Sequence, residues 1–298
     1  MKLKTKNIGL YVVLGVALLL CAVLLVSRSI KAGRADAPPA ELQPDDWIEV
    51  QNGPDSTMLI QYKDNLSINP MSPEDFSADE NGEPVYNGEH YRTIKGIDVS
   101  AFQLNIDWEA VRDSGIDFAI IRIGGRGYAP GEAGTVYEDT AFEKNLSEAK
   151  DAGLKVGVYF FSQAVSPAEA REEAAFVLDA LDGRKLDLPV YFDWEFVHYG
   201  STARTDNMDG KTLTECAEAF CKAVSDAGYK PGVYFNQELG YTMYNLGRLD
   251  FCDFWFARPD SLSPYFYYEM GMWQYNWQGD VPGIDQICDL NYRFEKAG

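Results

Sequence analysis

From about Tyr91 onward, short apolar runs of this chain alternate with amphipathic stretches in a regular rhythm. A phrase of aspartate, a small residue and glycine precedes several of the runs, as in RDSGIDFAIIRIG, KDAGLKVGVYFF and SDAGYKPGVYFN. Its aspartates are Asp113, Asp151 and Asp226, and their spacings of 38 and 75 residues are close to one and two periods. Such a phrase is typical of a helix C-terminus followed by a strand, so the rhythm predicts βαβ units and a parallel sheet.

The apolar runs predict eight strands. They cover residues 95–99, 118–123, 155–161, 188–195, 230–235, 253–257, 270–275 and 287–290. Residues 138–152 predict a helix, and capping-box patterns at Ser166 and Thr212 predict the starts of two more. Eight strands alternating with helices indicate an α/β fold of irregular TIM-like β/α barrel type, closed or nearly closed. An open doubly wound sheet is the alternative, but the GGRG sequence at Gly124 lacks the spacing of a phosphate-binding turn.

The first 90 residues break this rhythm. Residues 8–26 contain no charge and are flanked by three basic residues on each side. The stretch is long enough to cross a hydrocarbon core of about 30 Å, so residues 1–31 are predicted to anchor the chain in a lipid bilayer. A cleaved signal peptide is the alternative, and the equal flanking charges leave the orientation open. Residues 32–90, rich in turn residues, are predicted to form a linker or stalk with at most a small hairpin, and residues 91–298 the barrel.

The composition limits the partners of the folded part. With 46% hydrophobic and 13% aromatic residues, the chain can build a packed core. Its net charge is −20, and all six basic residues up to position 34 belong to the N-terminal segment, so 20 basic residues face 46 acidic ones in the remainder. Such a surface repels nucleic acid and anionic lipid, and no nucleic-acid partner is expected.

Cysteine and histidine are too sparse for a zinc site. Four cysteines lie beyond the N-terminal apolar stretch, none in a C-x-x-C pair, and the chain has two histidines. These cysteines allow three disulfide pairings if the domain is exported, and buried free thiols are equally compatible with the sequence. No metal and no cofactor is predicted.

The stretch PVYFDWEFV, residues 189–197, places two carboxylates inside an apolar run. Side chains of a strand alternate between its faces, so Val190, Phe192 and Trp194 share a wholly apolar face that belongs under the helices. Asp193 and Glu195 then point into the barrel at the carboxyl end of their strand, where active sites of β/α barrels are built. An exposed edge strand with two solvated acids is the alternative.

Two more acids fall at predicted strand ends. Asp98 ends the first strand in GIDVS, and Asp289 ends the last in ICDLN, next to the first strand if the barrel closes. No Lys or Arg occupies a matching position. Four converging carboxylates raise at least one pKa, which leaves a protonated acid near neutral pH.

Aromatic residues crowd the same strand ends. A stacking surface for sugar rings is predicted there, and the core is the competing location for each ring. The candidates for substrate contact are Tyr159, Phe161, Tyr234, Trp255 and Trp273, with Phe160, Tyr275 and Trp277 in the same regions. Carboxylates combined with aromatic rings indicate glycoside hydrolysis.

The ordered set of GIDVS, GVYFF, PVYFDWEF, PGVYFN, FWFARP and MWQYNWQGDVPGIDQICDLNY resembles the lysozymes of glycoside hydrolase family 25, which are muramidases. The resemblance covers roughly residues 93–293. It implies an irregular β/α barrel with Glu195 as general acid and with Asp98, Asp193 and Asp289 shaping the site. It also implies that Tyr159, Tyr234 and Trp273 lie near the substrate. The chain departs from the family at Phe160, where many members have histidine, and at Trp194, where an aliphatic residue is usual.

The resemblance implies hydrolysis of the β-1,4 bond between N-acetylmuramic acid and N-acetylglucosamine in peptidoglycan glycan strands. The attack on the anomeric carbon comes either from the substrate's acetamido oxygen, held by Asp193, or from a water, and substrate assistance is favoured. A catalytically idle glycan-binding barrel and a metal-dependent hydrolase are the alternatives. The expected location is the cell membrane, with a single span and an extracellular catalytic domain, or outside the cell if the N-terminal segment is cleaved.

Overall fold

The computed structural model describes residues 47–129, 132–197, 203–259 and 261–297. The predicted membrane anchor, residues 1–31, and the first part of the predicted linker, residues 32–46, lie outside the described residues. Within the described ranges, no helix combines the length and the apolar character that a membrane span needs.

Eight strands close into a barrel. The strands of the described chain are β1 (Trp47–Gln51), β2 (Thr57–Gln61), β3 (Phe76–Ala78), β4 (Pro84–Tyr86), β5 (Tyr91–Val99), β6 (Phe118–Arg126), β7 (Val136–Glu138), β8 (Lys155–Ser162), β9 (Val190–Trp194), β10 (Pro231–Asn236), β11 (Asp253–Ala257), β12 (Met272–Gly279) and β13 (Cys288–Lys296). Around the barrel the order is β5, β13, β12, β11, β10, β9, β8 and β6, and β6 pairs with β5 to close the ring. The predicted closed barrel is therefore confirmed, and each of its strands overlaps a predicted one.

One strand makes the barrel irregular. Strand β13 runs antiparallel to both of its neighbours, β12 and β5, whereas the other pairs of the ring are parallel. The sequence predicts only a short strand over residues 287–290, but the strand continues to Lys296. Its reversed direction follows from its short connection to β12, because antiparallel strands can be joined without a crossover helix.

The helices lie between the parallel strands and end as the recurring phrase predicts. They are α1 (Trp108–Asp113), α2 (Phe142–Asp151), α3 (Pro167–Leu181) and α4 (Gly210–Asp226). Gly115, Gly153 and Gly228 stand two residues after the ends of α1, α2 and α4, with φ angles of 95°, 90° and 88°. A side chain is strained in this left-handed region, which explains why the phrase ends in glycine.

The helix starts agree less well with the sequence patterns. The hydroxyl of Ser166 accepts a hydrogen bond from the backbone N–H of Glu169 and caps α3, as predicted. Helix α4 begins earlier than the pattern at Thr212, because the carboxylate of Asp209 accepts the N–H of Thr212 at 2.9 Å. Helix α2 begins after the predicted residue 138, which belongs to β7.

The barrel wall separates two apolar layers. Val190, Phe192 and Trp194 are fully buried on the outer face of β9, where Phe192 contacts Phe220 of α4 at 5.3 Å between ring centroids. The interior holds a smaller cluster, made of Phe118, Ile120, Tyr191, Tyr234, Trp255, Ala257 and Met272. Helices thus cover the apolar face of β9, as alternation along residues 189–197 predicts.

Residues 47–90 are not an extended stalk. The backbone N–H of Asn69 donates to the carbonyl of Tyr267 at 2.8 Å, and the hydroxyl of Tyr292 in β13 donates to the carbonyl of Pro84 at 2.8 Å. Phe76 packs edge-on against Trp273 of β12 at 5.6 Å. The described residues that follow α4 include only short π and 3-10 turns, so no α-helix covers β11, β12 and β13. Residues 47–90 cover part of the outer face of β12 and β13 instead, where Phe76 contacts Trp273 and Tyr86 contacts Phe294 at 6.0 Å between ring centroids.

Candidate active site

Four carboxylates meet at one end of the barrel, which we call the mouth. Asp98 lies near the end of β5, Asp193 lies in β9, and Glu195 follows β9 directly. Asp289 lies near the start of β13 and is the register partner of Asp98. The structure thus brings together all four acids that the sequence singles out.

Asp289 reaches the mouth for a reason that the sequence pattern does not show. The sequence predicts Asp289 at the carboxyl end of a strand parallel to the others. In the structure it stands at the beginning of β13, whose antiparallel direction places that beginning at the mouth. The position is as predicted, whereas the strand direction behind it differs.

Asp98, which is buried, and Asp289, which is half-buried, form a pair that holds a proton. Burial raises the pKa of Asp98 to about 6, against the opposing effect of hydrogen bonds from Asn291 and Gln274, both at 2.8 Å. Burial and the charge of Asp98 raise the pKa of Asp289 to about 9. Because two adjacent carboxylates do not both ionise readily, Asp289 keeps its proton at neutral pH and donates it to the Asp98 carboxylate.

Glu195 is poised to donate a proton. Its side chain is half-buried, and burial, followed by the charge of Asp98, raises its pKa to about 7. The side-chain amide of Gln163 donates to the backbone carbonyl of Glu195 at 3.0 Å and holds the segment that follows β9. A carboxylic acid with such a pKa is protonated in a large fraction of molecules near neutral pH, as a general acid requires.

Asp193 in β9 is more deeply buried than Glu195, which follows the strand. Burial, and then the charge of Glu195, raise its pKa well above the ordinary value. Its Oδ1 atom is buried and has no hydrogen-bond partner among the described residues. A buried acceptor without a partner is costly, so this atom is a natural acceptor for a donor brought by a ligand.

One cation does face the acids, contrary to the expectation from the sequence. Arg122 of β6 opposes the rise in the pKa of Asp193, and its Nε atom donates to Asp139 at 2.6 Å. Strand alternation puts Arg122 on the same inward face as Ile120. Alternation along the AIIRIG sequence therefore indicates the inward position of Arg122.

Four of the five predicted aromatic contacts lie inside the barrel or at its mouth. Trp255 is buried below the acids and donates to Asn291 at 2.8 Å, and Tyr159 contacts it at 6.0 Å between ring centroids. The hydroxyl of Tyr234 donates to Gln274 Oε1 at 2.9 Å. Phe161, which is half-buried, stands at the end of β8.

The prediction that Trp273 contacts the substrate is wrong. Trp273 is fully buried on the outer face of β12, where it packs against Phe76 and donates to the carbonyl of Arg258 at 3.1 Å. Alternation along β12 gives the inward position to Gln274, which donates to Asp98 and, at 3.2 Å, to Asp289. Besides Arg122, Gln274 and Asn291 are polar residues of the site that the sequence patterns do not single out.

Comparisons with known proteins identify the family. The model of the family "Glycosyl hydrolases family 25" matches residues 97–284. The uncharacterized protein YegX of Escherichia coli K12 is 28% identical over 210 residues, which cover 67% of this chain and 69% of YegX. The autolytic lysozyme of Clostridium acetobutylicum is 25% identical over 198 residues, which cover 66% of this chain and 55% of that protein.

Solved structures share the fold. The bacterial lysozyme of Streptomyces coelicolor has a TM-score of 0.56 at 24% identity, over 69% of this chain and 92% of that one. The modular autolysin LytC of Streptococcus pneumoniae has a TM-score of 0.57 at 22% identity, and the aligned part is 76% of this chain and 57% of LytC. Because the family match covers more than half of its length, this chain belongs to the glycosyl hydrolases of family 25 and is a glycoside hydrolase.

Proposed function

We propose that this chain hydrolyses the β-1,4 bond between N-acetylmuramic acid and N-acetylglucosamine in peptidoglycan, with Glu195 as the general acid. The observation that carries the proposal is the position of Glu195, half-buried at the barrel mouth beside three other carboxylates, where its pKa is raised to about 7. A proton donor of this kind is what departure of a sugar oxygen needs.

The first step breaks the glycosidic bond. The proton of Glu195 passes to the bridging oxygen, which leaves with the bond electrons. The anomeric carbon belongs to the N-acetylmuramic acid residue. The acetamido carbonyl oxygen of that residue attacks it and forms a cyclic oxazolinium intermediate. In the second step the Glu195 carboxylate takes a proton from a water, whose oxygen opens the ring with net retention.

Asp193 supports this substrate-assisted course. Its unpartnered Oδ1 can accept the N–H of the acetamido group, which orients the carbonyl oxygen toward the anomeric carbon. Positive charge that develops on the acetamido group favours the ionised form of Asp193, and Asp98 and Asp289 keep a further negative charge at the mouth. Direct attack by water, with inversion, is the competing course.

The names of similar proteins point the same way. They include an autolytic lysozyme, a bacterial lysozyme and a pneumococcal autolysin, the last solved with a synthetic peptidoglycan ligand. Peptidoglycan lies outside the cytoplasmic membrane, so the barrel is proposed to work there. We also propose that residues 1–31 anchor the chain in the lipid bilayer, or are cleaved so that the chain is secreted, and that the catalytic barrel begins near residue 91.

The test is to digest purified peptidoglycan with the full-length chain and to identify the new reducing ends by mass spectrometry. N-acetylmuramic acid at those ends is expected, and N-acetylglucosamine would contradict the proposed bond. NMR of the first-formed anomer distinguishes retention from inversion. A chain that binds glycan without releasing fragments would favour the idle-barrel alternative.

The Glu195→Gln variant tests the role of the acid. We expect a loss of turnover of about 10²–10⁴-fold, with folding unchanged, because the amide cannot donate a proton to the leaving oxygen. Glu109→Gln, at an exposed position of α1, is the matched control and is expected to retain full turnover. Equal turnover of the two variants would refute the assignment of Glu195.

A further inference from the structure

Trp277 is an exposed tryptophan held in place at the mouth. Its side chain is 47% exposed, and it is the one tryptophan of the described residues among the large exposed apolar side chains. Its indole Nε1 donates to Gln274 Oε1 at 2.8 Å. The ring therefore presents a fixed apolar surface to solvent instead of rotating freely.

A bulge in β12 is what brings Trp277 to this position. Residues three apart in a regular strand point to opposite faces, so Gln274 and Trp277 would be separated. The pairing of β12 with β13 shifts register between Gln274 and Asn276, and again between Asn276 and Gly279. Such irregularities redirect side chains, and they are frequent next to active sites. The side-chain amide of Asn276 also donates to the carboxylate of Glu83, one of residues 47–90, at 2.7 Å.

Gln274 connects Trp277 to the catalytic acids. Its oxygen accepts hydrogen bonds from Trp277 and Tyr234, while its nitrogen donates to Asp98 and Asp289. All polar atoms of its amide are thus used, which fixes the distance between the indole ring and the acid pair. Trp277 belongs to the same rigid network as the acids.

A second aromatic surface lies on the opposite side of the mouth. Phe161 of β8 contacts Tyr128 at 6.2 Å between ring centroids, and Tyr128 is 36% exposed. In the order of the ring, three strands separate β8 from β12 in either direction, so Phe161 and Trp277 stand across the mouth from each other. The acids of β5, β9 and β13 lie between these two sides.

We propose that Trp277 is a stacking platform for an N-acetylhexosamine ring of the bound glycan, and that the glycan crosses the mouth between Trp277 and the Phe161–Tyr128 pair. This inference rests on the proposed function and adds the direction of the substrate and a residue that determines affinity. Pyranose rings have an apolar C–H face that covers an indole ring well, and burying the exposed indole stabilises the complex.

The experiment measures binding and not cleavage, so that it does not depend on the proposed reaction. The full-length chain carrying Glu195→Gln is titrated with chitohexaose, a soluble β-1,4 oligomer of N-acetylglucosamine, by calorimetry. Addition of Trp277→Ala is expected to weaken binding by about tenfold, which is typical of the loss of one well-packed aromatic contact. Trp277→Phe keeps a ring and is expected to stay within about threefold.

Phe251→Ala is the matched control. Phe251 is 40% exposed but stands just before the start of β11, at the end of the barrel opposite the mouth, and its removal is expected to leave the affinity unchanged. Thermal unfolding of each variant checks that the fold is intact.

Three results would overturn the inference. They are an unchanged affinity of the Trp277→Ala variant, an equal loss in Trp277→Phe and Trp277→Ala, and no binding of chitohexaose to the Glu195→Gln chain. The second would mean that the hydrogen bond to Gln274 matters and the ring does not. Lack of peptidoglycan cleavage by the wild-type chain would instead refute the proposed function, and the binding comparison would still decide the role of Trp277.

Discussion

The two ends of the barrel bury the same kind of group and treat it in opposite ways. At the end opposite the mouth, Asp253 binds Arg293 through both carboxylate oxygens, at 2.5 and 2.6 Å, and also binds Lys230 at 2.7 Å. Burial alone would raise the pKa of Asp253, but the two cations lower it below its ordinary value. At the mouth, burial without paired cations raises the pKa of Asp98, Glu195 and Asp289.

The difference shows what a buried carboxylate can be used for. A carboxylate that is matched by a bidentate arginine stays ionised over the whole physiological range and serves structure. A carboxylate buried among other acids keeps or shares its proton near neutral pH and can take part in proton transfer. Stability is therefore concentrated at one end of the barrel and reactivity at the other.

The largest loss of stability is expected from breaking the ion pair between Asp253 and Arg293, at the end of the barrel opposite the mouth. Arg293→Leu leaves the buried Asp253 with Lys230 as its remaining cation, and we expect a loss of about 3–5 kcal/mol in the free energy of unfolding. Urea denaturation measures it. Turnover measured well below the unfolding transition should change little, because Arg293 is remote from the mouth acids.

Arg92→Leu is the control for that prediction. Arg92 also binds a carboxylate, that of Glu295, but its side chain is 69% exposed. Its loss is expected to cost much less, because solvent screens an exposed ion pair. Equal losses for Arg92→Leu and Arg293→Leu would remove the distinction between the two ends.

Replacing Asp289 at the mouth by asparagine is expected to change the free energy of unfolding less, and to increase it. Asp289 has an ordinary pKa of 3.8 in the unfolded chain and about 9 in the folded one, so the stability that its proton provides is complete below pH 4 and is lost as the pH rises toward 9. Asp289→Asn mimics the protonated acid and can still donate to Asp98. It is expected to be about 1–3 kcal/mol more stable than the wild type at pH 8 and equally stable at pH 4.

Asp253→Asn is expected to change the stability in the opposite direction, because the folded pKa of Asp253 is lowered whereas that of Asp289 is raised. The folded pKa of Asp253 is lowered, so its carboxylate stabilises the fold above the ordinary pKa of 3.8 and this contribution is lost as the pH falls. This variant should be less stable than the wild type at pH 8, with a difference that shrinks toward pH 3. Unfolding midpoints measured from pH 3 to pH 9 test both variants, and the same sign for both at pH 8 would contradict the comparison.

The smallest effect concerns the pH dependence of turnover. With Glu195 as general acid and a pKa of about 7, kcat is expected to fall by about tenfold per pH unit above pH 7. The charge of Asp98 contributes to that pKa, so Asp98→Asn should move the descending limb to lower pH. A limb that stays in place in Asp98→Asn would show that Asp98 does not influence the acid.

Much of the barrel could be predicted from local patterns. Each strand of the ring overlaps a predicted one because burial on both faces gives short continuous apolar runs, and the glycines of the recurring phrase mark helix ends because they carry positive φ angles. Alternation placed Asp193 and Glu195 inside the barrel for the same local reason. These features depend on neighbouring residues alone.

Local patterns fail where residues far apart in the sequence determine the packing. Residues 47–90 look like a linker by composition, yet they pack on β12 and β13, a side of the barrel that has no α-helix among the described residues. Trp273 resembles a substrate contact but is buried beneath Phe76 of that segment. The site amides Gln274 and Asn291 belong to β12 and β13, whose pairing is antiparallel and irregular, and no local pattern shows this.

The sequence by itself determined the family, the eight strands and the identity of the four acids, because strand alternation and helix capping act over a few residues. Only the tertiary structure decided which acid shares its proton, which aromatic rings lie at the mouth and where the cations go. Those outcomes depend on burial and on charges that residues far apart in the chain bring together, as Asp98 and Asp289 show.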